Sequence, residues 1–241
     1  MNHEANGSDQ PLGPVVPGWK PPPFPSREPM EGRFCVLEPL DPERHAADLH
    51  RACALDRDGR NWSYLPYGPF ESPESYRAWM SETCLGQDPM FFAIVDKETG
   101  SAVGVCSYLR IDPRAGSIEV GHLNYSPLLQ KKPAATEAMV LMMERAFGTG
   151  YRRYEWKCNA LNAASRAAAQ RLGFSFEGLF RQASVVKGRN RDTAWYSVID
   201  AEWPLLRSAF DIWLSLANFD ENGMQKTRLS ELTRPLLARP G

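Results

Sequence analysis

Between positions 126 and 138 the chain reads Ser-Pro-Leu-Leu-Gln-Lys-Lys-Pro-Ala-Ala-Thr-Glu-Ala, a short loop opening into an apolar stretch. A strand that feeds a helix through such a loop leaves backbone N–H groups unpaired at the helix start. With the positive end of the helix dipole they form an anion site suited to a pyrophosphate, and Lys131 and Lys132 add charge there. Every strand-to-helix junction has such an end, so a solvated loop with two surface lysines explains the same residues. Further on comes Asn162-Ala163-Ala164-Ser165, then Leu172-Gly173-Phe174. Asn162 suits a helix N-cap, and Ser165 suits a small residue beneath a packed helix. Four aromatics, Trp62, Tyr64, Tyr67 and Phe70, crowd into nine residues. They form either a wall for an apolar ligand or core under a long loop.

The elements that must position these groups alternate in type. A strand over 34–40 leads to Asp41-Pro42-Glu43, an N-cap with proline at the first helical position. A loop over 56–71 carries the aromatics, and Ser72-Pro73 starts a second helix that runs to about Cys84. Strands follow at 91–96, 103–110 and 117–125. The stretch 134–149 is apolar almost all round, which predicts a buried helix. A strand at 153–158 and an alanine-rich helix at 162–172, stopped by Gly173, come next. Strands at 174–187 and 192–200 flank Gly188-Arg189-Asn190-Arg191 as a hairpin, and a helix over 202–218 closes the pattern. The order β-α-α-β-β-β-α-β-α-β-β-α places a run of antiparallel strands before one βαβ unit, whose crossover should be right-handed. The fold class is therefore α/β in the mixed, α+β sense.

Residues 1–33 hold eight of the twenty prolines and predict an extended arm, either loose or draped over the domain with Trp19 and Phe24 as anchors. Positions 219–241 are polar and read as a tail. At roughly 150 residues per domain, 241 residues make one sizeable domain, 34–218, with these two appendages. Hydrophobic residues at 43% and charged residues at 24% are ordinary globular values. A net charge of −1 lacks the basic excess of a nucleic-acid binder. No run approaches the ~18 apolar residues of a membrane span, and the amino terminus lacks a signal-peptide layout. The five cysteines, Cys35, Cys53, Cys84, Cys106 and Cys158, include no CxxC pair; free buried thiols, no metal and a cytoplasmic location are expected. The arm and tail are compatible with a homodimer.

Taken in order, Gln130 through Thr136-Glu137-Ala138, Asn162-x-x-Ser165 and Leu172-Gly173-Phe174 resemble the GNAT superfamily of acyl-CoA N-acyltransferases. More narrowly they resemble its Rim-type branch, over about residues 30–215. The resemblance implies a mostly antiparallel sheet with a central parallel βαβ splay, flanked by helices. It implies acetyl-CoA as cosubstrate, no metal, and a primary amine as acceptor: a protein N-terminus, an amino acid or a small-molecule amine. It also implies direct attack in a ternary complex.

By that resemblance Gln130, Lys131, Lys132, Ala134, Ala135 and Thr136 take the pyrophosphate. The family's loop has glycine where this chain has Pro133, which deletes one N–H from the cradle and weakens CoA about tenfold or more. Backbone groups near Leu123 and Asn124 hold the pantetheine and polarise the acetyl carbonyl, and Asn162 reaches the same end. Glu119 matches the family's general base, acting through a water on an amine of pKa ~10. His122 is the competing base, expected on the opposite strand face because it lies three residues on. Ser165 matches the proton donor to the CoA thiolate. Trp62, Tyr64, Tyr67 and Phe70, with the hairpin over 187–192, would bind the acceptor, while Asp192 and Glu177 either attract its ammonium or balance local charge. Two rivals stand beside this reading. One is a GNAT-shaped binding or regulatory module with a degenerate CoA site. The other is an acyltransferase using an aminoacyl-tRNA, which the near-neutral charge disfavours.

Overall fold

Two prolines set the first layer. Asp41 accepts from the N–H groups of Glu43 and Arg44, and Pro42 begins α1 (Pro42–Cys53). Ser72 and Ser75 cap each other reciprocally, and Pro73 begins α2 (Pro73–Thr83). In the computed structural model, which describes residues 4–5 and 10–241, both helices pack on one face of an eight-stranded sheet. The short strands β1 (Glu4–Ala5) and β2 (Pro11–Leu12) pair separately.

The large sheet contains β3 (Met30–Glu31), β4 (Cys35–Pro39), β5 (Met90–Asp96), β6 (Ala102–Asp112) and β7 (Ser117–Tyr125), then β8 (Arg153–Asn159), β9 (Ser175–Val186) and β10 (Arg189–Ile199). Their spatial order is β3-β4-β5-β6-β7-β8-β10-β9. Every neighbouring pair is antiparallel except β7 and β8, which the crossover helix α3 (Pro133–Thr149) makes parallel. That helix is buried from Ala134 to Val140 and again at Met142, Met143 and Ala146, as its apolar composition requires. The helices α4 (Ala163–Arg171) and α5 (Trp203–Leu214) complete the second layer, where Met139, Met142, Tyr154, Phe174 and Phe210 form the main core.

Three boundaries differ from the sequence expectation. The hairpin turns at Lys187-Gly188, both at positive φ (50° and 71°), so Arg189–Arg191 belong to β10. A two-residue turn matches strand twist better than the longer loop the polar run suggested. The closing helix stops at Leu214 rather than 218. The polar tail is folded: α6 (Leu229–Thr233) buries Leu229, and the Thr233 hydroxyl donates to the Arg171 carbonyl at 3.0 Å.

The proline-rich arm is draped, and its anchors are mostly not the aromatics. Pro22 and Pro25 are buried while Phe24 is exposed. Proline-rich chain presents carbonyls with few intrachain donors, and the domain supplies donors: Arg145 to the carbonyls of Ser26, Glu28 and Pro29, and Tyr151 to that of Pro23. Trp19 does lie under the Arg152 guanidinium, 6.0 Å from its centroid. All five cysteines are buried and free. Among the described residues no helix is long and apolar enough to cross a membrane, and no group of three metal-ligating side chains gathers.

Candidate active site

The parallel strands β7 and β8 pair only from Ser117–Arg153 to Val120–Trp156. Beyond Val120 they part, and a cleft of about 210 Å³ opens between Gly121, His122 and Leu123 on one side and Lys157, Cys158 and Asn159 on the other. Asn162 and Ser165 of α4 close one end. The divergence has a backbone cause. On β6, Ser107 pairs with Gly121 but Val105 pairs with Asn124, so β7 carries one extra residue, with His122 at φ +50°. A bulge of this kind bends its strand and re-aims side chains.

The bulge also corrects the placing of His122. Alternation would put it opposite Glu119, but the extra residue brings it to the same face. There it stacks on Tyr67 and lies tilted against Phe91, with Nδ1 3.3 Å from the Tyr67 hydroxyl. Burial, assisted by Arg110, lowers its pKa to about 4, so it is neutral at pH 7 and a poor proton acceptor.

A second bulge serves Glu119. Between the pairs Leu109–Glu119 and Asp112–Ser117, β6 has the extra residue, and Arg110 adopts φ +48°. The Asp88 carboxylate accepts from the N–H groups of Arg110 (2.9 Å) and Ile111 (3.0 Å), fixing this conformation. Arg110 then donates to Glu119 Oε1 at 2.7 Å, while Lys157 Nζ lies 2.9 Å from Oε2. Glu119 is only 3% exposed, so it is no surface carboxylate. Burial raises its pKa above the ordinary carboxylate value, against the opposing pull of Arg110 and Lys157.

Lys157 is shared. It meets Glu155 at 2.6 Å and sits 3.7 Å over the Trp195 ring. Arg153 in turn binds Glu155 and Glu177. Glu177 also accepts from Ser197, and the Arg153 hydrogen bond holds its pKa low. Asp192 is occupied too, by the Gln182 N–H and the Asn190 amide. Glu177 is engaged on both oxygens, whereas both contacts of Asp192 fall on Oδ1.

On α4 the two readings of Asn162 and Ser165 separate. Asn162 Oδ1 accepts from the Ser165 N–H at 3.0 Å, the N-cap role. Ser165 Oγ accepts from the Trp156 indole at 3.0 Å, and its hydroxyl also lies in hydrogen-bonding range of the Cys158 thiol on the cleft wall. Leu123 lines the cleft, and Asn124 is buried with both amide atoms lacking a hydrogen-bond partner.

At the start of α3 no side chain caps the helix. Lys131 takes φ +63°, Lys132 is the extended N-cap residue and Pro133 is the first helical residue. Gln130 is turned aside, donating to Asn61 Oδ1 (3.0 Å) and the Tyr125 carbonyl (2.8 Å). Ala134, Ala135 and Thr136 are buried, and Thr136 accepts from Arg171 at 3.1 Å. A second cleft of about 470 Å³ adjoins this helix end, lined by Lys131, Lys132, Arg171 and, from the folded C-terminal segment, Arg228.

Of the four loop aromatics, only Tyr64 lines the first cleft, its hydroxyl donating to the Leu161 carbonyl at 3.2 Å. Trp62 is 4% exposed and packs edge-on against Phe70 and Tyr76; Tyr67 lies on Trp79 and Phe70 on Tyr76. These three are core beneath the loop, because α1 and α2 leave apolar surface that only the loop covers. Lys187 at the hairpin tip binds the carbonyls of Trp62 and Gly68, at 2.9 and 3.0 Å.

Arg110, Lys157 and Trp195 were not singled out from sequence, whereas Arg191 falls within the hairpin over 187–192 read as acceptor-binding. A signal existed for one of them: Arg153, Glu155 and Lys157 put charges at every second position of a strand flanked by apolar segments.

Residues 35–175 match the model of the acetyltransferase (GNAT) domain. The chain is 30% identical over 160 residues to the uncharacterized N-acetyltransferase p20 of Bacillus licheniformis, covering 65% of this chain and 89% of that protein. A GCN5-related N-acetyltransferase from Brucella melitensis superposes with a TM-score of 0.88 at 44% identity, covering 91% of this chain and all of that one. RimL, a ribosomal L7/L12 alpha-N-protein acetyltransferase, shares the fold at 22% identity with a TM-score of 0.59, over 71% of this chain and 94% of its own.

Proposed function

The chain belongs to the GNAT acetyltransferase family, and from that premise we propose that it transfers an acetyl group from acetyl-CoA to a primary amine by direct attack in a ternary complex. The observation that carries this reading is the parting of β7 and β8, which leaves a slot with a buried carboxylate on one wall and a hydroxyl at its end. The residues present fit acetyl-CoA. Strand edges 121–125 and 157–159 have no ladder between them, Asn124 holds an unpartnered amide, and cations flank the uncapped start of α3.

Acetyl-CoA supplies the activated thioester. The start of α3, with Lys131 and Lys132, takes the pyrophosphate, and Arg171 and Arg228 in the adjoining cleft take the nucleotide end. Backbone groups at Leu123 and Asn124 polarise the acetyl carbonyl. Glu119 draws the proton from the acceptor ammonium through a water, so that the free amine attacks. As the N–C bond forms and the C–S bond breaks, Ser165 passes its hydroxyl proton to the departing sulfur and takes up in its place the proton that the attacking nitrogen sheds on becoming an amide. His122, neutral and burdened by burial, shapes the pocket instead. Tyr64 borders the acceptor space; Trp62, Tyr67 and Phe70 support it from behind. Five free thiols suit a reducing compartment, and we place the protein in the cytoplasm.

Pro133 is the observation favouring a non-catalytic GNAT-shaped module, since it removes a donor from the helix end. Calorimetric titration with acetyl-CoA and with CoA separates the two. One molecule bound per chain in the micromolar range is expected; no binding at millimolar concentration overturns the enzyme reading.

A further inference from the structure

Arg191 is a half-buried arginine on the wall of the first cleft. Its Nε donates to Thr193 Oγ1 at 3.2 Å, and among the described residues no carboxylate lies within ion-pair distance of its guanidinium. The acids nearby face other partners. Glu119 is held by Arg110 and Lys157, and Asp192, the next residue in sequence, is turned to Gln182 and Asn190. Three cations line this cleft, Arg110, Lys157 and Arg191; Arg110 and Lys157 share Glu119, Lys157 also binds Glu155, and Arg191 is the one without a carboxylate partner among the described residues. Burying an arginine without its counter-charge is costly unless a ligand supplies one, and a planar guanidinium with free terminal nitrogens is shaped for a carboxylate.

We propose that the acceptor is a small amine that also carries a carboxylate, an amino acid, with its carboxylate on Arg191 and its amino group facing Glu119. The identification rests on the acetyl-transfer reading for the role of the amine; the carboxylate site rests on the geometry of Arg191 alone. A polyamine or other purely cationic acceptor would bring Arg191 a like charge and no carboxylate.

The test is binding first, so that it does not depend on turnover. Each standard amino acid is titrated into the full-length protein beside its own carboxamide, with ligand-observed NMR as the readout. At least one acid should bind roughly 10- to 100-fold more tightly than its amide, the range for one charge-assisted contact. Arg191→Gln should erase that difference without lowering the thermal midpoint, Arg191→Lys should restore part of it, and neither should move acetyl-CoA affinity. The same pairs are then assayed with acetyl-CoA, where Arg191→Gln should raise KM for the acid and leave the amide unchanged. If no acid outbinds its amide, or the preference survives in Arg191→Gln, the carboxylate site is overturned. If the preference holds while no acetyl group moves, the site stands and the acetyl-transfer reading falls.

Discussion

Glu119 and Lys157 meet at 2.9 Å across the point where their parallel strands separate, with side chains only 3% and 9% exposed. The pair is one link of an alternating series, Arg110–Glu119–Lys157–Glu155–Arg153–Glu177, that crosses the sheet from β6 to β9. Each interior member faces two opposite charges, so none carries an uncompensated buried charge. Such an array sets position more than it adds stability: Glu119 is aimed into the cleft by partners on both sides.

Glu119→Gln is expected to lower kcat by roughly 10²- to 10⁴-fold, the usual range for a general base, with acetyl-CoA affinity unchanged. Because burial holds the Glu119 pKa above the ordinary carboxylate value, the wild-type rate should fall on acidification at a pH higher than a free carboxylate would give. That limb should vanish in the variant, and a pH–rate profile of both proteins checks it. Equal rates would remove Glu119 from the mechanism.

His122 should make stability depend on pH. Its folded pKa of about 4 lies below the ordinary 6.5, so the unfolded chain takes up a proton first as pH falls. Its contribution is fully present above pH 6.5 and drains away down to about pH 4, to a limit near 3 kcal/mol. Denaturant unfolding across that window should show the slope in the wild type and a flatter one in His122→Gln.

Ser165→Ala should slow turnover about tenfold at neutral pH and progressively less above pH ~8.5, where the CoA thiolate departs without a proton. A defect independent of pH would assign Ser165 a packing role under Trp156. The variant also strands the Trp156 indole N–H, at a cost of about 1–3 kcal/mol, so thermal midpoints belong beside the kinetics.

Pro133→Gly should tighten CoA by up to about tenfold by restoring one backbone donor. Arg228→Ala should loosen CoA and adenosine 3′,5′-bisphosphate alike, by about tenfold, while leaving a truncated acetyl-pantetheine unaffected. Calorimetry of the three ligands separates the helix end from the adjoining cleft. Unchanged or weaker CoA binding in Pro133→Gly would show that the proline costs nothing there.

Much of the frame was legible because local chemistry and tertiary demand agree there. The Asp41-Pro42 and Ser72-Pro73 starts form as written, and the all-round apolar stretch before Gly150 is the buried crossover helix. What escaped depends on backbone irregularity. Period-two alternation fails at His122 and Arg110, and nothing in those side chains announces a left-handed residue within a strand. Arg110, Lys157 and Arg191 come from three strands and converge only through register. The polar tail folds because Leu229 and Thr233 find a surface on α4 and α5 that composition cannot reveal.

The bulge at His122 stores the cleft in chain length rather than in side-chain identity. Removing one codon at position 122 or 123 would bring Asn124 into step with the ladder and let β7 zip onto β8 as ordinary parallel sheet. No point substitution nearby has that reach, since each leaves the extra residue in place.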